Sequence, residues 1–237
     1  NYKTKIVCTI GPASGSREIM EEMIRAGMDV ARLNFSHGDF GSHEKTIKGL
    51  RAASQATGRR LAIMADLPGP KMRIGQFSTE PVELKIGDPF TLTTEDIVGD
   101  PSRVSVTFSR LPQAVKPGDR LYLNDGFIQL EVAEVGGADV RCRVLVGGEL
   151  RSKKGLNLPG IDLGIRAFTE QDHRWLKFAK EQGLDAVSQS FVEGPADIAA
   201  VRKAATDLNY HPFIIAKIER SRALDRIDEI LNVTDGI

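Results

Sequence analysis

The sequence predicts an α/β chain: an incomplete (β/α)8 barrel of the TIM type, interrupted by a small antiparallel β domain. Three observations carry that prediction. Short β-branched runs alternate with amphipathic stretches through residues 1–74 and again through 159–237, the rhythm of a parallel sheet with right-handed crossovers. Between 75 and 158 the pattern changes to short alternating runs punctuated by Gly-Asp, Pro-Gly-Asp, Asp-Gly and Gly-Gly turns, which reads as an inserted β-rich module. Removing residues 75–158 from 237 leaves 153, enough for five strand–helix units and the start of a sixth strand, where a closed barrel takes about 250 residues. Five parallel strands alone leave a raw edge and an unfilled interior, so the chain is expected to be part of a longer one, or to pair with something that completes it.

The elements follow in order. TKIVCTI at 4–10 reads as a buried strand ended by Gly11 and Pro12. Ser16 can cap the next helix, whose apolar stripe is Ile19, Met20, Met23 and Ile24 and which Gly27 stops. In DVARLNFS, Val30, Arg32, Asn34 and Ser36 share one face, and Ala31, Leu33 and Phe35 the other. Ile47, Leu50 and Ala53 or Ser54 mark a helix ending near Gly58, and LAIMADL is a third strand with Asp66 near its end. VELKI, PFTLTT, RVSVTF, DRLYLND, FIQLEVAEV and DVRCRVLVGG are the strands of the insert. After NLPGIDLG the alternation resumes: Thr169 opens a helix with Asp172 as capping-box partner, and Trp175, Leu176 and Ala179 face inward until Gly183. Trp175 with Phe178 reads as helix packing. DAVSQSFV is the fourth strand, with Ser188 and Ser190 on one face, and Pro195 begins a helix with stripe Ile198, Val201, Ala205 and Leu208. FIIAKIE, 213–219, reads as the fifth strand. A helix through Leu224, Ile227 and Leu231 follows, and TDGI starts a sixth strand.

Positive and negative side chains balance at 32 each, which argues against a nucleic-acid arm or an anionic-membrane patch. No apolar run approaches the length of a membrane span. Cys8 and Cys142 have no metal-ligand spacing and no secretory leader precedes them, so they read as core thiols of a cytoplasmic protein. GPASGS lacks the lysine of a P-loop, and no GxGxxG follows a strand.

What stands out is polarity at strand ends. Arg32, Asn34 and Ser36, then Asp66, then Ser188 and Ser190, then Lys217 and Glu219 occupy the carboxyl ends of successive strands, the face on which parallel α/β proteins build sites. In an extended FIIAKIE, Lys217 and Glu219 leave the same face, so that Glu219 can hold a divalent metal while Lys217 neutralises a phosphoryl oxygen. The plain alternative is a surface ion pair. With Arg32, Lys71 and Arg73, the inventory suits a polyanionic substrate and phosphoryl transfer.

KTKIVCTIGPAS at 3–14, GMDVARLNFSHG at 27–38, DLPGPKMRIG at 66–75, SKKGLNLPG at 152–160, DAVSQSFV at 185–192 and IIAKIER at 214–220, in that order, resemble the pyruvate kinase family over essentially the whole chain. The resemblance implies transfer of the phosphoryl group of phosphoenolpyruvate to ADP, giving pyruvate and ATP, and makes the insert a mobile lid. It implies that Arg32 binds the substrate phosphate, that Ser190 contributes to substrate binding and that Lys217 stabilises the transition state. Glu219 becomes a ligand of Mg²⁺ or Mn²⁺. Asn34, Phe35, Ser36, His37, Arg73 and Lys154 become nucleotide contacts, and Asn34, Ser36, Asp66 and the carbonyl of Leu67 ligands of a monovalent cation. The resemblance further implies a homo-oligomeric parent protein, a tetramer. Lys71 stands where potassium-dependent members have Glu, and its ammonium can supply the charge that K⁺ otherwise brings, so K⁺ is expected to be dispensable. The family's second metal carboxylate would begin about two residues after Ile237, so the chain alone is expected to hold metal weakly and to be inert. Two rival readings remain: a metal-dependent aldolase or lyase acting on pyruvate-type enolates, and an inactive truncated binding or regulatory protein.

Overall fold

A computed structural model describes residues 3–161 and 164–237. Asp162 and Leu163, inside the NLPGIDLG stretch, lie outside the described residues. The chain divides into two compact units, Asn1–Pro70 with Arg166–Ile237, and Lys71–Ile165. The sequence reading drew these lines at 74/75 and 158/159. Residues 72–75 bond into the insert, through Leu156 N to Met72 O, Ile74 N to Lys154 O and Gly75 N to Ser105 O, which groups them with it.

The first unit begins with β1 (Ile6–Thr9), α1 (Arg17–Ala26), β2 (Met28–Asn34), α2 (Phe40–Thr57) and β3 (Ala62–Leu67). Ser16 accepts a hydrogen bond from the Ile19 amide, and Gly27 closes α1 in the left-handed region at φ +116°, a conformation costly for any residue with a Cβ. Asp39 and Ser42 form a reciprocal capping box on α2, which Gly58 ends. One expectation fails at β1. Ile6 and Val7 are about half exposed, at 50% and 52%, and Cys8 is only partly buried. β1 lies at an edge of its sheet, so only β2 flanks it.

The second unit holds β4 (Val82–Leu84), β5 (Pro89–Thr93), β6 (Arg103–Ser105), a helical turn α3 (Leu111–Ala114), β7 (Arg120–Leu123), β8 (Ile128–Gly136), β9 (Asp139–Val146), β10 (Gly148–Leu150) and β11 (Leu156–Asn157). They form a six-stranded sheet in the order β11-β7-β8-β9-β5-β6 and a two-stranded β10-β4 pair. All pairings are antiparallel except β5 with β6, whose connection crosses over. Alternate residues of β7, β8 and β9 turn inward, and this unit has a hydrophobic cluster of its own around Phe90, Leu92, Leu121, Leu130 and Val140, with Cys142 buried in it.

The chain then completes the first unit with α4 (Glu170–Glu181), β12 (Ala186–Gln189), α5 (Pro195–Asp207), β13 (Phe213–Ala216), α6 (Ser221–Leu224) and α7 (Ile227–Leu231). Its sheet runs β1-β2-β3-β12-β13, every pair parallel, and Gly236 makes a further parallel bridge to Ile215. This is an incomplete barrel. One face of the sheet, with Leu33, Ile63, Leu67, Val187 and Ile214 nearly inaccessible, packs on the helices; burying each such side chain contributes about 1.5–3 kcal/mol. The helix expected through Leu224, Ile227 and Leu231 is two short ones, and Ala223 and Ile230 turn inward while Leu224 and Leu231 stay exposed. The inward stripe is thus set one residue earlier than expected in both helices, Ala223 in α6 and Ile230 in α7. Among the described residues no helix is long and apolar enough to cross a membrane.

Candidate functional site

Parallel register decides which side chains meet, because residues paired across parallel strands point to the same face. Thr9 is paired with Arg32, Asn34 with Asp66, and Asp66 with Ser188. The next inward positions along β12 and β13 are Ser190 and Lys217, one residue beyond the Gln189–Ala216 pair. β13 ends at Ala216, short of the expected 219. Lys217 keeps one ladder bond, its amide donating to the Gln189 carbonyl at 3.0 Å, and beyond it β12 offers no further partner.

The polar tips converge on Asp66, whose side chain is 3% exposed. Its Oδ2 accepts from Arg32 Nε at 2.9 Å and Nη2 at 2.5 Å, and its Oδ1 accepts from Ser188 Oγ at 2.8 Å and lies 3.2 Å from Lys217 Nζ. Arg32 also donates from Nη1 to Thr9 Oγ1 at 2.7 Å. Lys217 Nζ donates to Ser190 Oγ at 2.9 Å and pairs with Glu219 Oε1 at 2.9 Å, and Ser190 Oγ donates to the Leu67 carbonyl at 2.7 Å. The two cations are therefore anchored by one buried acid while their remaining donors stay partly open to solvent. Arg32, Ser188 and Lys217 also line a recess of about 460 Å³ on the inner face of the sheet, floored by Val30, Met64 and Ile215. Such a constellation can bind and neutralise a phosphoryl group at fixed points.

Other expected site residues fall differently. Asn34 Oδ1 accepts from the Ser36 amide at 3.0 Å, so these two form a local turn. The Phe35 side chain is buried, stacked on Trp175 with ring centroids 4.3 Å apart and edge-on to Phe178, which leaves only its backbone for a ligand. His37 is exposed and its carbonyl lies 2.7 Å from His43 Nε2. Lys71, Arg73 and Lys154 belong to the second unit. There Arg73 Nη1 donates to the Lys153 carbonyl at 2.6 Å, and Ile74 N to the Lys154 carbonyl at 3.0 Å.

A hard divalent cation takes six or more oxygens. Glu219 offers one partly exposed carboxylate, its Oε2 accepting from the Phe191 amide at 3.1 Å, and among the described residues no group of three His, Cys, Asp or Glu could hold a metal. The donor set thus fits part of a metal site. Asp66 and Leu67, expected around a monovalent cation, already accept hydrogen bonds from Arg32, Ser188 and Ser190.

Sequence reasoning passed over Thr9 and Phe191. Thr9 could have been found from its place at the carboxyl end of β1. Phe191 could not, since it acts through its backbone. Asp172 does more than cap α4: it also accepts from the Gly69 amide at 2.9 Å, and burial pushes its carboxyl above the ordinary range against the pull of its hydrogen bonds to Thr169 and Gly69.

Fold and site together define an incomplete (β/α)8-type barrel with a cationic cluster at the carboxyl ends of its strands. The family model for the pyruvate kinase barrel domain matches residues 1–237, and the chain belongs to that family. It is 47% identical over its whole length to pyruvate kinase of Thermococcus litoralis, covering 50% of that protein. It is 41% identical to the enzyme of the same name from Corynebacterium glutamicum, with 99% of this chain and 50% of the relative aligned, and 41% identical to that of Mycobacterium intracellulare, with 98% and 49%. The chain spans about half the length of these relatives.

Proposed function

We propose that the protein carrying this chain transfers the phosphoryl group of phosphoenolpyruvate to ADP, a glycolytic step that yields pyruvate and ATP in the cytoplasm. The bond between the enol oxygen and phosphorus breaks, a bond from an ADP β-phosphate oxygen to that phosphorus forms, and the enolate left behind takes a proton. The observation that carries this reading is the convergence of Arg32 and Lys217 on the buried Asp66. Arg32 binds the phosphate of the substrate, Ser190 and Asp66 aim the ammonium of Lys217, and Lys217 neutralises charge on the phosphoryl in flight. Glu219 would be among the residues that hold a Mg²⁺ or Mn²⁺, and such an ion, when bound, would supply further charge neutralisation at the phosphoryl group. The backbone from Asn34 to His37, with Arg73 and Lys154, serves the nucleotide, and the working protein is a homo-oligomer, a tetramer. Lys71 makes K⁺ dispensable.

The test is pyruvate release by the natural full-length protein, which should require ADP and Mg²⁺ and proceed without K⁺. Lys217→Met should lower kcat by at least about 10²-fold with the fold largely spared. Retained turnover would show that the wrong side chain has been placed at the reaction centre, and a strong K⁺ requirement would remove the role given to Lys71. Metal-dependent carbon–carbon cleavage without ADP would favour a lyase, and ligand binding without turnover an inactive binding protein.

A further inference from the structure

Phe191 follows Ser190 at the turn after β12 and holds φ at +60°, the left-handed region that a side chain enters only at a cost. Strain of this kind persists where the surroundings impose it. The Arg220 guanidinium carbon stands 5.1 Å from the centroid of the Phe191 ring, a cation–π arrangement, and Arg220 is itself fixed by a 2.7 Å ion pair with Glu193. On another side lies Gly69, at φ +63°, where an added Cβ would meet Phe191 Cδ2 at 2.9 Å. Only glycine leaves that space to the ring.

The strained turn has a directional product. It points the Phe191 N–H at Glu219 Oε2, 3.1 Å away, while Lys217 Nζ lies 2.9 Å from Oε1. Both carboxylate oxygens are gripped, each with a lone-pair direction to spare for a cation. Held from one side only, the carboxylate could rotate about its last torsion, which is broad and weakly restrained.

We propose that Phe191 is a positioning residue: clamped by Arg220 and Gly69, its left-handed backbone aims an amide that sets the Glu219 carboxylate to receive the divalent metal. This rests on the reading of Glu219 as a metal ligand. Arg220 and Gly69 act at one remove, by making the conformation of residue 191 the only one available.

Mn²⁺ binding to the natural full-length protein, followed by the electron paramagnetic resonance of the free ion, tests the proposal alongside denaturation midpoints. Phe191→Ala keeps the backbone cost but removes the ring that enforces it, so the turn relaxes and Mn²⁺ affinity falls by about 10-fold, as for other groups that orient a ligand. Phe191→Gly loses the same ring yet accepts φ +60° freely, so its affinity stays within a few fold of the natural protein although its stability is no better. A packing role alone would weaken both variants alike. Equal losses in the two, or no loss in either, would overturn the proposal. Glu219→Gln is the control: Mn²⁺ binding as tight as in the natural protein would reject the metal reading and this inference with it. Where Phe191→Ala does not fold, Arg220→Gln removes the clamp without changing residue 191, and unchanged affinity there would refute the mechanism.

Discussion

Asp66→Asn is the perturbation that reads the site most directly. The carboxylate is 3% exposed and faces two cations whose side chains are 29% and 28% exposed. Removing one member of a buried ion pair costs about 3–5 kcal/mol, because the partner keeps its charge. Here water still reaches each stranded cation and screens part of that penalty, so the expected loss is about 2–3 kcal/mol. The amide cannot recover it. If its oxygen turns to Ser188, its NH₂ faces Arg32, donor against donor; if it turns the other way, Ser188 must rotate its hydroxyl and Lys217 meets the NH₂. Trp175 is the chain's sole tryptophan and is buried in the first unit, so its fluorescence during urea unfolding reports that unit. With a slope of about 2 kcal/mol per molar urea, the midpoint should fall by about 1 M or more. Half-molar salt should leave most of the difference in place, since buried charge is poorly screened by ions. A midpoint unchanged within error would refute the claim that Asp66 holds the two cations together.

Two further outcomes use the same reporters. Burial raises the Asp172 carboxyl above its ordinary 3.8, so the folded chain binds that proton more tightly than the unfolded one. Its contribution to stability therefore falls as pH climbs from 3.8 through the raised folded value and is level above it. Asp172→Asn should flatten that segment of the Trp175 midpoint-against-pH curve, and an identical slope in the variant would dismiss the assignment. In the second unit, burial pushes the Cys142 thiol up to about 12. A disulfide reagent at neutral pH should reach it only on unfolding, so that Cys142 labelling and Trp175 fluorescence give separate transitions for the two units; labelling of Cys142 in the native chain would contradict its burial.

The parts of the fold that could be read from the sequence are those written locally. Ser16 and Gly27 bound α1, and Thr169 with Asp172 opens α4, because caps are chemical events within a few residues. Alternation in β2 sorted Arg32 and Asn34 from Ala31 and Leu33, since a two-residue period needs no knowledge of partners. Burial is different, being a property of neighbours: β1 has the composition of a core strand, yet at the sheet edge Ile6 and Val7 stay half exposed. So is helix phase: Leu224 and Leu231 have the apolar side chains of an inward stripe, yet it is Ala223 in α6 and Ile230 in α7 that are buried. The site divides along the same line. Arg32, Asp66, Lys217 and Glu219 are recognisable because charge at a strand end is chemically conspicuous. The groups that aim them are not: Thr9 reaches Arg32 through cross-strand register, and Phe191 reaches Glu219 through a backbone angle that no side-chain type announces. A sequence can thus nominate the charges of a site, but their orientation is imposed by contacts between residues far apart in the chain. That is why the Asp66 substitution tests how the charges are held, and the pair of substitutions at Phe191 tests how one of them is aimed.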